Sequence, residues 1–240
     1  MKVPLTVRDH LERASLVYGE RVGVVDEPDQ VAPSLGPLTY GEVAGRARAL
    51  AAGLENLGVP VGGRVAVVSQ NAARLLDVLF GAPTHGRVAV PVNFRLHPDE
   101  VSYIVGHSGA EVLLVDPELD GPLSTVTAKH RFVLGESDHI IFPKGRVGND
   151  WAGDENATAT INYTSGTTAR PKGVQLTHRN VWMNAVTFAL HVTMSDRDVL
   201  LHTLPMCHAN GWGTPYAITG VGGKHIVLRR LRHVGRRSLA

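Results

Sequence analysis

A single cysteine, Cys207, in 240 residues excludes an internal disulfide framework and fits a reducing, cytoplasmic setting. No stretch approaches the roughly 18 unbroken apolar residues of a membrane span, so no integral membrane segment is expected. The first ten residues hold Lys2 and Arg8 but no apolar core or small-residue cleavage site, which argues against a secretory signal. The twelve histidines are scattered, with no H-x-x-x-H pair and no Cys/His cluster, so no structural metal site is expected. Acidic residues are missing altogether after Asp198, whereas Lys224, Arg229, Arg230, Arg232, Arg236 and Arg237 follow it. The first 198 residues carry the other 18 of the 24 basic residues against all 22 acidic ones, so the net charge of +2 hides an acidic body and a basic end. A basic end can serve nucleic acid or an anionic membrane.

What is present is ordinary for a globular chain: 43% hydrophobic and 19% charged residues, enough to bury one large core or two small ones. The pattern alternates helix and strand, the mark of an α/β fold with layered, mostly parallel sheets and flanking helices. Thr39 and Glu42 have capping-box spacing, and Val43, Ala47, Leu50, Leu54 and Leu57 then recur every three or four residues, predicting a helix over 40–57. Gly58 suits the left-handed residue that ends it. Arg64–Val68 reads as a strand buried on both faces. Asn71 is expected to cap a helix through Leu75, Leu76 and Leu79 that Pro83 ends early. Val88–Val92 is the next strand, Pro98 opens a helix with Val101, Ile104 and Val105 on one side, and Glu111–Val115 is a further strand. Residues 117–156 are less regular, and the Gly-rich stretch 144–156 reads as a connector.

From Thr158, the apolar residues Ala159, Ile161 and Tyr163 alternate with polar ones, as in a half-buried strand. The next ten residues, T-S-G-T-T-A-R-P-K-G (Thr164 to Gly173), contain four hydroxyls, two glycines and a lysine, and Thr177 then caps a helix. Such a loop can turn backbone N–H groups and hydroxyls toward one anion, with Lys172 as a point charge. It is not a Walker A loop, because Lys172 lies between Pro171 and Gly173 and not before a Ser or Thr. Composition alone leaves it equally a Ser/Thr/Gly-rich surface turn.

The string Y-T-S-G-T-T-A-R-P-K-G-V closely resembles the signature loop of adenylate-forming enzymes, which include acyl-CoA synthetases, luciferases and peptide-synthetase adenylation domains. Ala169 stands where that family more often has glycine, which reduces φ freedom at one position. Leu38-Thr39-Tyr40 resembles the family's L-T-Y, Gly62-Gly63-Arg64-Val65 its G-D-R-V, Val90-Pro91-Val92-Asn93 its P-x-N turn, and His107-Ser108-Gly109-Ala110 its D-S-G-A. Leu204–Gly211, L-P-M-C-H-A-N-G, resembles the L-P-x-F-H-x-x-G segment of fatty and medium-chain acyl-CoA synthetases, with Cys207 in place of a common phenylalanine. The resemblance runs over about residues 5–228.

The resemblance implies ATP-dependent activation of a carboxylic acid, a fatty acid by type, to acyl-AMP and then acyl-CoA. By that resemblance Thr164, Ser165, Gly166, Thr167, Thr168, Lys172 and Gly173 hold the β- and γ-phosphates. Lys172 and His208 are its candidate catalytic residues, and the hydroxyl of Thr164 is a candidate ligand of Mg²⁺. ATP, Mg²⁺ and CoA are the implied cofactor and co-substrates, the partner is a small carboxylic acid, and no nucleic-acid partner is expected. The family's Y-G-x-T-E segment, ribose-binding aspartate, hinge and C-terminal domain with its adenylation lysine are not found. Residues 1–228 therefore read as a partial N-terminal adenylate-forming domain. The basic tail 229–240 reads as an end out of frame in preference to a genuine basic arm. The competing reading is a degenerate, non-catalytic fragment that binds ATP or an acyl chain.

Overall fold

The computed structural model describes residues 3–164 and 170–229. Its elements are α1 (Val7–Tyr18), β1 (Val22–Val25), β2 (Pro37–Thr39), α2 (Tyr40–Asn56), β3 (Arg64–Val68), α3 (Ala73–Thr84), β4 (Val88–Val92), α4 (Pro98–Ser108), β5 (Ala110–Val115) and α5 (Pro117–Asp120). They continue as β6 (His130–Val133), α6 (Asp138–Ile141), β7 (Thr158–Thr164), β8 (Lys172–Thr177), α7 (His178–His191), β9 (Val199–His202), α8 (Ala209–Trp212), α9 (Thr214–Val221) and β10 (Lys224–Val227). A large sheet has the order β6-β5-β3-β4-β7-β8 and a smaller one β2-β1-β10-β9. All pairings in the large sheet are parallel except β7–β8, and only β1–β2 is antiparallel in the small one. The layered, mostly parallel α/β architecture read from the sequence is the one observed.

The central strands β3, β4 and β5 are buried on both faces, and their side chains divide between two cores. Val65, Val67, Ala89, Val112 and Leu114 join Leu50, Leu54, Leu75 and Leu79 of α2 and α3, together with Val24 and Val227 of the small sheet. Ala66, Val68, Val90, Leu113 and Val115 point the other way, onto Val101, Ile104 and Val105 of α4. This explains why β3 and β5 are near-continuous apolar runs and show no period of two.

Local signals set the helix ends. The Thr39 N–H and hydroxyl donate to Glu42 Oε2 at 2.7 and 3.0 Å, and Glu42 N–H returns a bond to Thr39 Oγ1 at 3.2 Å. Gly58 (φ 74°) and Gly109 (φ 67°) follow α2 and α4 in the left-handed region. One expectation is corrected: Asn71 does not cap α3. The N-cap is Ala72, and the free Ala73 N–H is taken by the buried Asp26 carboxylate at 2.9 Å, from beyond the end of β1. Asp26 also accepts from Leu35 N–H and from Gln30, so one carboxylate ties the small sheet to the first turn of α3. Asn71 is thereby free for another task, described below. Pro83 sits one residue from the end of α3, where it terminates the helix without kinking it.

Several histidines are core residues. His202 Nε2 and His225 Nδ1, on adjacent strands, are 2.9 Å apart, and His225 Nε2 is 2.9 Å from Thr219 Oγ1. Burial pushes His202, His10, His178 and His85 from 6.5 to about 4, and burial followed by the neighbouring His202 pushes His225 well down. Groups held neutral in the fold but free to protonate when unfolded contribute stability in full above about pH 6.5. That stability is lost as pH falls toward 4, by up to about 3 kcal/mol per imidazole. The urea unfolding midpoint is therefore expected to drop clearly between pH 7.5 and pH 5. Equal midpoints at the two pH values would contradict this account.

Candidate functional site

Strands β3, β4, β5 and β7 run parallel and end on one edge of the large sheet, the edge where open α/β sheets bind ligands. The hydroxyl-rich loop lies there as the connection of the antiparallel hairpin β7–β8. Its stem closes on the pair Thr164–Lys172, both exposed, preceded by Tyr163–Gly173. Among the described residues Lys172 has no carboxylate partner. Ser165, Gly166, Thr167 and Thr168 lie outside the described residues. On the α4 side the stem is held by Tyr163, whose hydroxyl is 2.8 Å from His107 Nδ1, and Arg170 lies 5.3 Å over the Tyr103 ring. A side chain at Gly173 would press on Ile161 Cγ2 at 3.0 Å and Tyr163 Cζ at 3.1 Å, so glycine there lets the hairpin lie flat on the sheet.

The segment after β9 comes to the same edge because Asn71 holds it there. The Asn71 amide donates to the carbonyls of His202 (3.1 Å) and Leu204 (3.0 Å), and its oxygen accepts from Met206 N–H at 2.8 Å. The segment after His208, α8 and the residue after it, is a left-handed turn. Ala209, Asn210, Gly211, Trp212 and Gly213 have φ of 45°, 51°, 59°, 64° and 74°. Three of the five are not glycine, and left-handed backbone costs such residues roughly 1–2 kcal/mol each, so surrounding contacts must hold the turn.

Those contacts come from β7. Thr160 Oγ1 donates to Asn162 Oδ1, Asn162 Nδ2 donates to Asn210 Oδ1, and Asn210 Nδ2 donates to Thr160 Oγ1, each at 3.0 Å. The three side chains form a closed ring, and they are 0%, 9% and 2% exposed. Their burial corrects the half-buried reading of β7: its polar face is covered too, by the turn. Asn162 precedes Thr164 by two residues and Asn210 follows His208 by two, so the ring joins the hairpin to the histidine turn. The His208 side chain is exposed beside this junction. Cys207 is buried against the Phe94 backbone, and burial pushes its thiol above the ordinary range.

A cavity of ≈ 860 Å³ lies beside the turn, lined by Leu176, Val181, Phe188, Asn210, Trp212 and Tyr216 among others. Another, of ≈ 490 Å³, opens at the strand ends among Asn71, Phe94, Arg95, His202, Thr203 and Arg229. At its floor the Arg229 guanidinium, 4% exposed in its side chain, donates two bonds to the Asp116 carboxylate at 2.8 and 2.9 Å. Ser69 Oγ donates to the same carboxylate at 2.9 Å. This pair bridges the ends of β5 and β10, one strand from each sheet.

A two-sheet α/β domain with a hydroxyl- and lysine-bearing hairpin at its strand ends defines the N-terminal half of an adenylate-forming fold. The family model for AMP-binding enzymes matches residues 11–237, and the chain belongs to that family. It is 37% identical over 241 residues to a long-chain-fatty-acid–CoA ligase of Thermus thermophilus, covering 95% of this chain and 44% of that protein. It is 32% identical over 249 residues to a medium-chain-fatty-acid–CoA ligase of Ectopseudomonas oleovorans, covering 95% and 45%. The solved N-terminal domain of FACL13 from Mycobacterium tuberculosis superposes with a TM-score of 0.85 at 25% identity, over 97% of this chain and 58% of that one. The chain thus spans under half the length of the curated relatives it matches.

The Asp116–Arg229 pair carries a prediction. Removing one partner strands a buried charge, so Arg229→Met is expected to lower the unfolding free energy by about 3 kcal/mol. Adding Asp116→Asn should recover part of that loss in urea denaturation. An Arg229→Met variant as stable as the parent chain would show that the pair does not join the two sheets.

Proposed function

We propose that this chain forms the phosphate- and acid-binding half of an ATP-dependent fatty-acid–CoA ligase, in which the acid becomes acyl-AMP and then acyl-CoA. The observation that carries the reading is the Thr164–Lys172 stem, with an exposed threonine and a lysine that has no carboxylate partner among the described residues, beside the turn of His208. A carboxylate resists thiol attack because it would have to expel an oxide. Attack of the acid on the α-phosphorus of ATP, with loss of pyrophosphate, supplies a good leaving group, and CoA sulfur then displaces AMP. Negative charge gathers on the departing pyrophosphate, so fixed donors and cations aimed at it lower the barrier most. Lys172 takes that role, with Ser165, Gly166, Thr167, Thr168 and Gly173 as further phosphate contacts.

No cluster of three or more His, Cys, Asp or Glu that could hold a metal exists among the described residues. The donor present among the described residues, the Thr164 hydroxyl at the hairpin stem, fits a hard cation that keeps most of its water and phosphate ligands. Thr164 would hold Mg²⁺, which when bound neutralises phosphate charge. His208 borders the reacting carboxylate, and the cavity lined by Val181, Phe188 and Trp212 takes the acyl chain. The protein's similarity to long- and medium-chain-fatty-acid–CoA ligases supports an aliphatic acid.

Two measurements test this. Lys172→Ala should weaken Mg-ATP binding about tenfold or more in calorimetry while leaving AMP nearly unchanged, because the lysine serves the leaving phosphates. Equal losses for both nucleotides would remove Lys172 from that role. The second is turnover. These 240 residues leave Val199, Leu201, Leu204 and Trp212 44–68% exposed along β9 and the turn, apolar surface that the remaining length of a whole ligase would cover. Given ATP, Mg²⁺, CoA and a panel of fatty acids, this stretch alone is expected to yield neither pyrophosphate nor acyl-CoA. Ordinary acyl-CoA formation would contradict that expectation, and pyrophosphate alone would show adenylation to be intact.

A further inference from the structure

The Thr160–Asn162–Asn210 ring does more than hold the left-handed turn. It joins two segments that have no sequence proximity: the strand leading into the phosphate hairpin and a turn 48 residues further on. Each of the three side chains donates one bond and accepts one, all in one rotational sense, so each group polarises the next. The turn it grips is left-handed for five consecutive residues, with backbone bonds from Gly211 N–H to the His208 carbonyl (2.8 Å) and from Gly213 N–H to the Asn210 carbonyl (3.1 Å). From above, Asn71 holds the preceding segment through Met206, so the freedom left to the turn lies between residue 206 and Pro215, and Asn210 sits at its centre.

We infer that Asn162 and Asn210 are positioning residues that make the acid side and the phosphate side of the site bind their ligands cooperatively, with Thr160 closing the link between them. The inference rests on the proposed function. An acid that settles against the turn fixes Asn210. Through the ring Asn210 fixes Asn162 and hence the Tyr163–Thr164 stem, so the nucleotide meets a stem already held in register. The reverse order of binding must give the same factor, since coupling is reciprocal. Two chemically separate ligands are thereby brought to one register before either reacts.

The test uses the full chain, with decanoate and Mg-ATP as probes. Decanoate at saturation is expected to tighten Mg-ATP binding in calorimetry by about fivefold or more, the usual lower range of coupling between sites. Thr160→Val keeps the shape of the side chain and removes its hydroxyl. In this variant the coupling should fall to roughly twofold or less, while binding of each ligand alone changes little. Amide exchange of Gly211 and Gly213 should quicken about tenfold as local protection is lost, with β3 and β5 unchanged. Thr160→Ser retains the hydroxyl and should restore both readouts, which a purely space-filling role would not predict. Asn210→Gly, which tolerates the left-handed backbone and so preserves the fold, should also uncouple the ligands. Full coupling in Thr160→Val or Asn210→Gly would overturn the inference. A parent chain that binds Mg-ATP with no effect of decanoate would overturn it and leave the phosphate-binding role standing, whereas a chain that binds no Mg-ATP would overturn both.

Discussion

Strands β3 and β4 are covered on both faces, by α2 and α3 on one and by α4 on the other, so no polar side chain can leave the centre of the large sheet sideways. Polar groups can emerge only past the strand ends. Because β3, β4, β5 and β7 are parallel, those ends share one edge, and the chain must place its chemistry there. Asp116 follows β5 directly, Asn71 lies just past the end of β3, and the hydroxyl-rich hairpin follows β7. Each is tied across to the region of β9 and β10: Asn71 to the carbonyls of His202 and Leu204, Asp116 to Arg229, and Asn162 to Asn210. Burial of one sheet thus fixes the edge at which the second sheet is fastened, and the fastening points line the site.

The left-handed turn shows what that fastening supports. Isolated, Ala209, Asn210 and Trp212 would relax toward the right-handed or extended regions. They stay where they are because Asn210 completes a ring whose other members are buried and would otherwise lose their partners. Breaking any one bond would leave a buried donor or acceptor unpaired, a larger penalty than the bond's own net contribution. Strain of this kind persists where the surroundings over-determine the backbone. Here those surroundings are strand β7, which runs into the β7–β8 hairpin, and the staple of Asn71.

Much of this was legible in the sequence. The capping box at Thr39 and Glu42, the apolar runs of β3 and β5, and Pro98 before Val101 and Ile104 specify their elements through neighbours only a few residues away. The hairpin was recognisable for the same reason, as its hydroxyls, glycines and Lys172 are contiguous. Where the reading failed, the deciding partner was distant. Asn71 has the residue type of a helix cap, yet the Ala73 N–H is taken by Asp26, 47 residues earlier. Thr160 and Asn162 look like the wet face of a half-buried strand, and only the turn 48 residues on covers them. One signal was available: Asn210-Gly211 and Gly213 put the residues that best tolerate positive φ within four positions, which argues against a regular helix start.

The central claim, that the mouth of the β7–β8 hairpin receives the leaving phosphates of ATP, is most directly tested by an ATP analogue carrying an acyl group on its terminal phosphate, which transfers that group to a nearby amine. Mass spectrometry of the digested chain is expected to find Lys172 acylated, with protection by excess Mg-ATP and little protection by AMP. Labelling concentrated on other lysines such as Lys129, Lys144 or Lys224, or equal protection of Lys172 by AMP, would contradict the account.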